Sequence, residues 1–329
     1  MKKITIKEVA KKADVSVSTV SQYLNKRYHY MSDATKKRID AAIKELDYEP
    51  NFLARNLKSK STKTIGIIVA NILHHFSTSI TRSIEDYCDS NGYHLIICNA
   101  DDNSEKEKKY IQNLISKQVD GLIIFPTFGN EQLYQQLLER NYPIVFIDRY
   151  IKDLNVPTFK LDNTAAIQKS YNYLMKFNLE RIYYISTSLE KSITPRIERM
   201  ETFKSIQEKT SGLIEHIVIS EDVSNLKEAI SKQVDLSVDR NGVILANDFA
   251  LAEFLGFTAA QKIPVHEKFK LVSIDDIQLA QVYQPPISTI KQPVETISEN
   301  ALSCLLEQIK NEKHTYDLIN EYEPLLIER

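Results

Sequence analysis

Cysteine is scarce: 329 residues carry only Cys88, Cys98 and Cys304. None stands at a metal-ligand spacing, and an odd number fits no disulfide framework. A reduced, cytoplasmic setting is therefore expected. Long apolar runs are missing too. Nothing approaches the ~18 residues of a membrane span, and the opening MKKITIKEVA has no apolar signal-peptide core, so neither membrane insertion nor secretion is expected. GxGxxG, P-loop, GxSxG and HExxH motifs are all absent, which removes the commonest nucleotide-binding and hydrolytic signatures. His74 and His75 adjoin each other with no third ligand in view. No metal site and no cofactor is expected.

Charge of one sign is missing only on average. The formal net charge is −2. Residues 1–63, however, hold fifteen Lys and Arg against seven Asp and Glu, whereas residues 64–329 hold 27 against 37. A basic head on an acidic body suggests an anionic partner for the head alone. The length allows two or three domains. A composition of 43% hydrophobic and 26% charged residues is that of a soluble globular chain.

Within the head, residues 1–49, Thr5 and Glu8 form a capping-box pair ahead of Ile6, Val9, Ala10 and Ala13 at helical spacing. Ser16 can cap a second helix carrying Val17, Val20, Tyr23 and Leu24. Ser32 can cap a third, with Ile39, Ala42, Ile43 and Leu46 as its buried stripe. Three short helices, the first two joined tightly, make a helix-turn-helix arrangement. The second helix, in DVSVSTVSQYLN, shows Ser16, Ser18, Thr19, Ser21 and Gln22 between basic flanks. Short donors and acceptors for base edges, with cations at the margins for phosphates, suit the DNA major groove. A small helical bundle with a solvated Ser/Thr face is the alternative.

ITIKEVAKKADVSVSTVSQYLN and MSDATKKRIDAAIKELDYEPN, continuing through NFLARNLKSKSTKTIGIIV, resemble the DNA-binding head of the lactose-repressor (LacI/GalR) family. The resemblance implies that Val17, Ser18 and Gln22 read bases and that Asn25 and His29 lie near the backbone. Thr5, Ser16, Thr19, Ser21 and Asn51 complete the expected DNA contacts. The family usually has Arg where this chain has Gln22. Arg favours guanine and Gln adenine, so an altered half-site is expected. Residues 50–63 read as a hinge helix and linker. By resemblance Leu57 enters the minor groove, Ala54 packs against the partner copy and Arg55 lies near phosphate.

From Thr64 the pattern changes. TIGIIVA, YHLIICN, DGLIIF, PIVFID, RIYYIS, GVILAN and KLVSID are short apolar runs separated by amphipathic stretches, one of them carrying Ile80, Ile84, Tyr87 and Cys88. Strands alternating with helices predict a doubly wound α/β body of two lobes, with a ligand at the carboxyl ends of the strands. Asn71, Asp148, Arg149, Asn247, Asp248, Asp275 and Asp276 stand at such ends. ANDFALAEFLGF, VSIDDIQLA and PPISTIKQP are similar to the same family's effector domain, whose fold is periplasmic-binding-protein-like. That implies a first lobe of 64–161 and 291–320, and a second of 162–290 and 321–329. It also implies ligand contacts from Arg199, Asn247 and Asp275, assisted by Asp148 or Arg149 and by the 71–76 loop with His75 and Phe76. Asp276 is expected to cap a helix or orient Asp275.

Arg196 joins Arg149 and Arg199 as a cation suited to a carboxylate or phosphate. LDNTAA and the head loop are similar to ketodeoxygluconate-type members, which points to a sugar acid. The alternative is a neutral sugar, with the arginines exposed or paired to Glu198. The loop NILHHFS and the Thr202 of RMETF depart from the family pattern beside this site. The expected molecule is a homodimeric, ligand-responsive repressor that binds palindromic double-stranded DNA and a carbohydrate-type effector. No heptad repeat is seen, so no added coiled coil is expected. An α/β enzyme using Asp148 and Asp275, or a sugar-binding protein, are the competing classes.

Overall fold

The computed structural model describes residues 4–48, 61–189, 193–210, 212, 214–312 and 316–329. Two compact units divide after Thr62.

The first unit holds helices α1 (Ile6–Lys12), α2 (Val17–Leu24) and α3 (Asp33–Glu45), with a 3-10 turn at Tyr28–Tyr30 before α3. Each start has a local cause. The Glu8 carboxylate accepts from the Thr5 backbone N–H at 2.6 Å and from its hydroxyl at 3.0 Å. Ser16 Oγ accepts from Thr19 N, and Ser32 Oγ from Thr35 N. These bonds satisfy amides that the helix cannot pair itself. Asp14, at φ +50°, makes the tight turn between α1 and α2. Val9, Ala10, Ala13, Val20, Ile39, Ala42 and Tyr48 form the core, with Ile43 and Leu46 packed at its edge. Across it, Tyr23 donates to Asp40 at 3.1 Å, tying α2 to α3.

The second unit has two six-stranded sheets. The strands are β1 (Thr64–Val69), β2 (His94–Asn99), β3 (Gly121–Ile124), β4 (Ile144–Ile147), β5 (Thr158–Leu161), β6 (Arg181–Thr187), β7 (Glu215–Glu221), β8 (Asn241–Leu245), β9 (Phe269–Ile274), β10 (Ser288–Lys291), β11 (Ile319–Tyr322) and β12 (Leu325–Ile327). Their orders are β11-β5-β4-β3-β1-β2 and β12-β10-β9-β8-β6-β7. All pairings are parallel except β10 with β12. The central strands β1, β3, β4, β6, β8 and β9 are buried almost throughout, which is why they read as apolar runs. Ile65, Ile67 and Val69 of β1 face the cluster shared with the helices His75–Ser90 and Val294–Lys310, while Ile68 faces the opposite one. The second lobe repeats this two-sided core. Each fully buried Ile, Leu or Phe contributes about 1.5–3 kcal/mol.

The chain crosses between lobes three times. Two expected boundaries need correction because they cut strands. Lys291 pairs with Leu325 in the second sheet, so the crossing follows Lys291 rather than residue 290. Glu321 and Tyr322 pair with Lys160 and Leu161 in the first sheet, so the last crossing follows Tyr322 rather than residue 320.

Candidate functional site

In the head, the start of α2 leaves an apolar side chain in solvent: Val17 is 41% exposed. Ser18 is exposed beside it, and Gln22 lies one turn on, half-buried. The Gln22 amide makes no side-chain hydrogen bond among the described residues. The hydroxyls differ. Ser16 Oγ lies 2.6 Å from Ser18 Oγ and 2.8 Å from Thr19 Oγ1, so all three gather at the helix cap. Thr5 is engaged in the capping box of α1. Ser21 is half-buried, and its carbonyl accepts from Asn25 Nδ2 at 2.8 Å. The His29 and Tyr30 rings lie 4.0 Å apart at a tilt of 47°, and Tyr30 is 64% exposed. Asn51, Ala54, Arg55 and Leu57 lie outside the described residues.

In the body, the carboxyl ends of β4, β8 and β9 deliver Asp148, Asn247 and Asp275 to one inter-lobe cavity of about 50 Å³. Phe76, Arg149, Arg196 and Arg199 line it with them. Asp148 (φ +68°) and Asp275 (φ +80°) are left-handed, a strained backbone for an L-residue that turns each chain end sharply. Arg199, 4% exposed, comes from the helix Thr194–Lys209. Its Nε donates to Asn163 Oδ1 and its Nη1 to the Ala246 carbonyl, both at 2.7 Å, so the guanidinium is oriented before any ligand arrives.

Arg149 Nη1 donates to Asp102 Oδ1 at 2.7 Å. Arg196 Nη1 donates to the Ser188 carbonyl at 2.9 Å. Burial and the like charge of Arg149 pull the Arg196 guanidinium down to about 10. Burial raises the carboxyls of Asp148 and Asp275, and the charge of Asp248 adds to the effect at Asp275. Asp275 accepts from Gln292 Nε2 at 2.6 Å. Burial opposes ionisation of Asp102 as well, but the charge and hydrogen bond of Arg149 outweigh it and hold that carboxyl low.

Several expectations change. Asn71 bends back to accept from Leu73 N and is not among the residues lining this cavity. His75 faces a separate groove of about 370 Å³, and His74 is the histidine in the cavity. His74 Nδ1 lies 2.7 Å from Asp248 Oδ1, and His75 N donates to Asp248 Oδ2 at 2.7 Å, joining the lobes. Asn247 is occupied at both ends: Nδ2 donates to Thr187 Oγ1, and Oδ1 caps the helix Asp248–Ala260 through Ala250 N. Among the described residues Asp276 neither caps a helix nor hydrogen-bonds the Asp275 side chain. It accepts from Thr289 Oγ1 and Arg329 Nη2, each at 2.7 Å. Glu198 pairs with Lys160 and Asn163 rather than with an arginine. The sequence does not single out Gln292 or Asp102, and it offers His75 rather than His74 as the effector contact. Among the described residues no cluster of His, Cys, Asp and Glu could hold a metal ion.

Two family models match the chain: "Bacterial regulatory proteins, lacI family" over residues 5–51, and "Periplasmic binding proteins and sugar binding domain of LacI family" over residues 62–324. The chain belongs to the LacI family. This is a family of transcriptional regulators, so the enzyme class falls away. Among relatives, the chain is 39% identical over 319 residues to the probable HTH-type transcriptional regulator EndR of Paenibacillus polymyxa, covering 96% of this chain and 94% of that one. The ribose operon repressor of Halalkalibacterium halodurans is 31% identical (93% and 90%), and KdgR of Bacillus subtilis 30% (94% and 92%). The LacI-family fold also superposes on the lac repressor dimer bound to operator and the anti-inducer ONPF, with a TM-score of 0.85 at 21% identity over 100% of this chain and 98% of that one. Among the described residues no helix is long and apolar enough to cross a membrane.

Proposed function

We propose that this protein is a cytoplasmic, homodimeric repressor that binds a palindromic operator and answers to a small carbohydrate-type effector in the inter-lobe cavity. The observation that carries the effector half is the preoriented Arg199, set among Asp148 and Asp275 at converging strand ends. A guanidinium with both ends anchored is suited to a ring or carboxylate oxygen, and carboxyls suit vicinal hydroxyls. The DNA half rests on α2. Val17 is placed to meet a thymine methyl and Gln22 to pair with adenine in the major groove. Ser16, Ser18 and Thr19 hold the helix start to the backbone. Asn25 and His29 lie by phosphates, and Leu57, with Ala54 and Arg55 around it, serves as the minor-groove wedge. Two heads one helical turn apart mirror the operator's symmetry.

Effector and operator then act by linkage. Coupling of ~1–3 kcal/mol is typical of such a pair of sites. Selection of bound DNA from a random library, at fixed salt, tests the reading. The full chain enriches a palindrome and residues 64–329 alone enrich nothing. Failure of the full chain to enrich any sequence, with a panel of sugars and sugar acids present or absent, contradicts it.

A further inference from the structure

A second cavity of about 660 Å³ adjoins the first, and the two share Arg149 and Ile193 in their walls. Small-molecule sites typically measure about 300–1,000 Å³. The inner cavity, at about 50 Å³, falls well below that range, whereas the outer one sits inside it. Effector binding at the inner residues alone leaves the larger space unexplained.

The shared wall has an unmet hydrogen-bonding need. Arg149 is 7% exposed, and its Nε is buried with no hydrogen-bond partner. The Asp148 Oδ2 carboxylate oxygen is 3.8 Å from that atom, beyond hydrogen-bond reach. An unpaired buried donor of this kind costs ~1–3 kcal/mol, and more when charged. Arg196 lies in the same neighbourhood with its own charge disfavoured by burial and by Arg149. Asp102 is already taken up by Arg149 Nη1. The junction of the two cavities therefore offers cationic donors awaiting an acceptor.

The outer cavity adds a ring platform. Phe128, 67% exposed, stands at its edge with Pro126, Tyr150 and Ile151. Its loop is anchored from below. The buried Glu107 carboxylate accepts from Thr127 N at 2.7 Å, Asn130 Nδ2 at 2.7 Å and Tyr134 OH at 2.6 Å. An exposed aromatic ring thus stands at the edge of a largely apolar cavity with a few polar and charged groups in its wall, an arrangement suited to the face of a sugar ring.

We propose that the effector is an acidic disaccharide, with its carboxylate or phosphate on Arg149 and Arg196 and its outer ring on Phe128 and Tyr150. The proposal rests on the effector reading above and deepens it. Calorimetric titration of the full chain with matched sugars tests it. The neutral pair is maltose and cellobiose, and the carboxylate pair digalacturonate and cellobiouronate. The phosphate pair is the 6′-phosphates of maltose and cellobiose. The monosaccharides are galacturonate, glucuronate and glucose 6-phosphate. An acidic disaccharide is expected to bind at least ~10-fold more tightly than its neutral counterpart and than the acidic monosaccharides, and the set that wins separates carboxylate from phosphate.

Phe128→Ala, at an exposed position, is expected to remove the disaccharide advantage while leaving acidic monosaccharides unchanged. Arg149→Gln is expected to remove the acid advantage, with a thermal melt run alongside to verify folding. Equal binding of a neutral sugar or of a monosaccharide overturns the proposal and leaves the effector reading standing. If no sugar binds while the protein still retains its selected DNA, proposal and carbohydrate reading fall together.

Discussion

Gln22 makes the sharpest single-residue claim. Its amide is uncommitted among the described residues, whereas Ser16, Ser18 and Thr19 spend their hydroxyls on one another and on the helix start. On the proposed reading, base choice at its half-site position falls to Gln22 and Val17. Gln22→Arg should move the preferred base there from adenine to guanine, with ~1–3 kcal/mol of discrimination, and library selection reads the change directly. An unchanged motif would remove Gln22 from the interface. In the body, Arg199→Lys keeps the charge but loses the planar fork held by Asn163 and Ala246. Effector affinity is expected to fall at least ~10-fold, with operator affinity in the absence of effector nearly unchanged. Arg199 and Asp275 were legible from their sequence neighbourhoods. Gln292 and Asp102 were not: Gln292 lies within PPISTIKQP, but nothing local marks it as the partner of Asp275, and Asp102 meets Arg149 from 47 positions away. His74 was visible as a residue but not in its role, since its partner Asp248 lies 174 positions on.

Among the elements, legibility follows burial on both faces. Strands β1, β3, β4, β6, β8 and β9 coincide to within a residue or two with apolar runs that the sequence displays, and β2, though a half-exposed edge strand, is legible from its apolar content. Strand β5, TFKL, hides because Lys160 is buried in it, neutralised by Glu198 at 2.9 Å and Glu321 at 2.7 Å. Edge strands β7 and β11 are more polar, β10 (STIK) carries a single apolar residue, and β12 is only three residues long. The helix His75–Ser90 shows the opposite case, with Ile80, Ile84 and Cys88 buried at the spacing the sequence displays. Helix α2 depends on its cap. Ser16→Ala removes the acceptor for Thr19 N and the partner of the Ser18 and Thr19 hydroxyls. The head should lose about 1 kcal/mol of stability, seen as faster amide exchange at the start of α2, with operator affinity weakened in step. Unchanged exchange there would show that the cap does not hold the helix start.

At the scale of the whole molecule, Asp248 with His74 and the His75 amide is one of the contacts joining the two lobes of the body, beside Lys160 with Glu198. Burial opposes ionisation of Asp248, but the His74 bond and charge outweigh it and hold the carboxyl below its usual range. A depressed carboxyl stabilises the fold fully above its unfolded value of ~3.9, and that contribution is lost as pH falls through the lowered folded value. Asp248→Asn should therefore weaken lobe closure at neutral pH, cutting effector affinity several-fold, and should flatten the acid limb of the stability curve. An unaltered acid limb would show that Asp248 does not contribute in this way. The basic head on an acidic body predicts a second global property: operator affinity falling steeply with salt while effector affinity barely moves.

The central claim, that one chain couples a DNA-reading helix to an effector site between two lobes, is tested most directly by reciprocity. Effector affinity is measured by calorimetry with and without the selected palindrome, and palindrome affinity with and without the effector, in the same buffer. The account predicts equal factors in the two directions, of about 5–150-fold. Effector binding that is identical with and without the palindrome would contradict it.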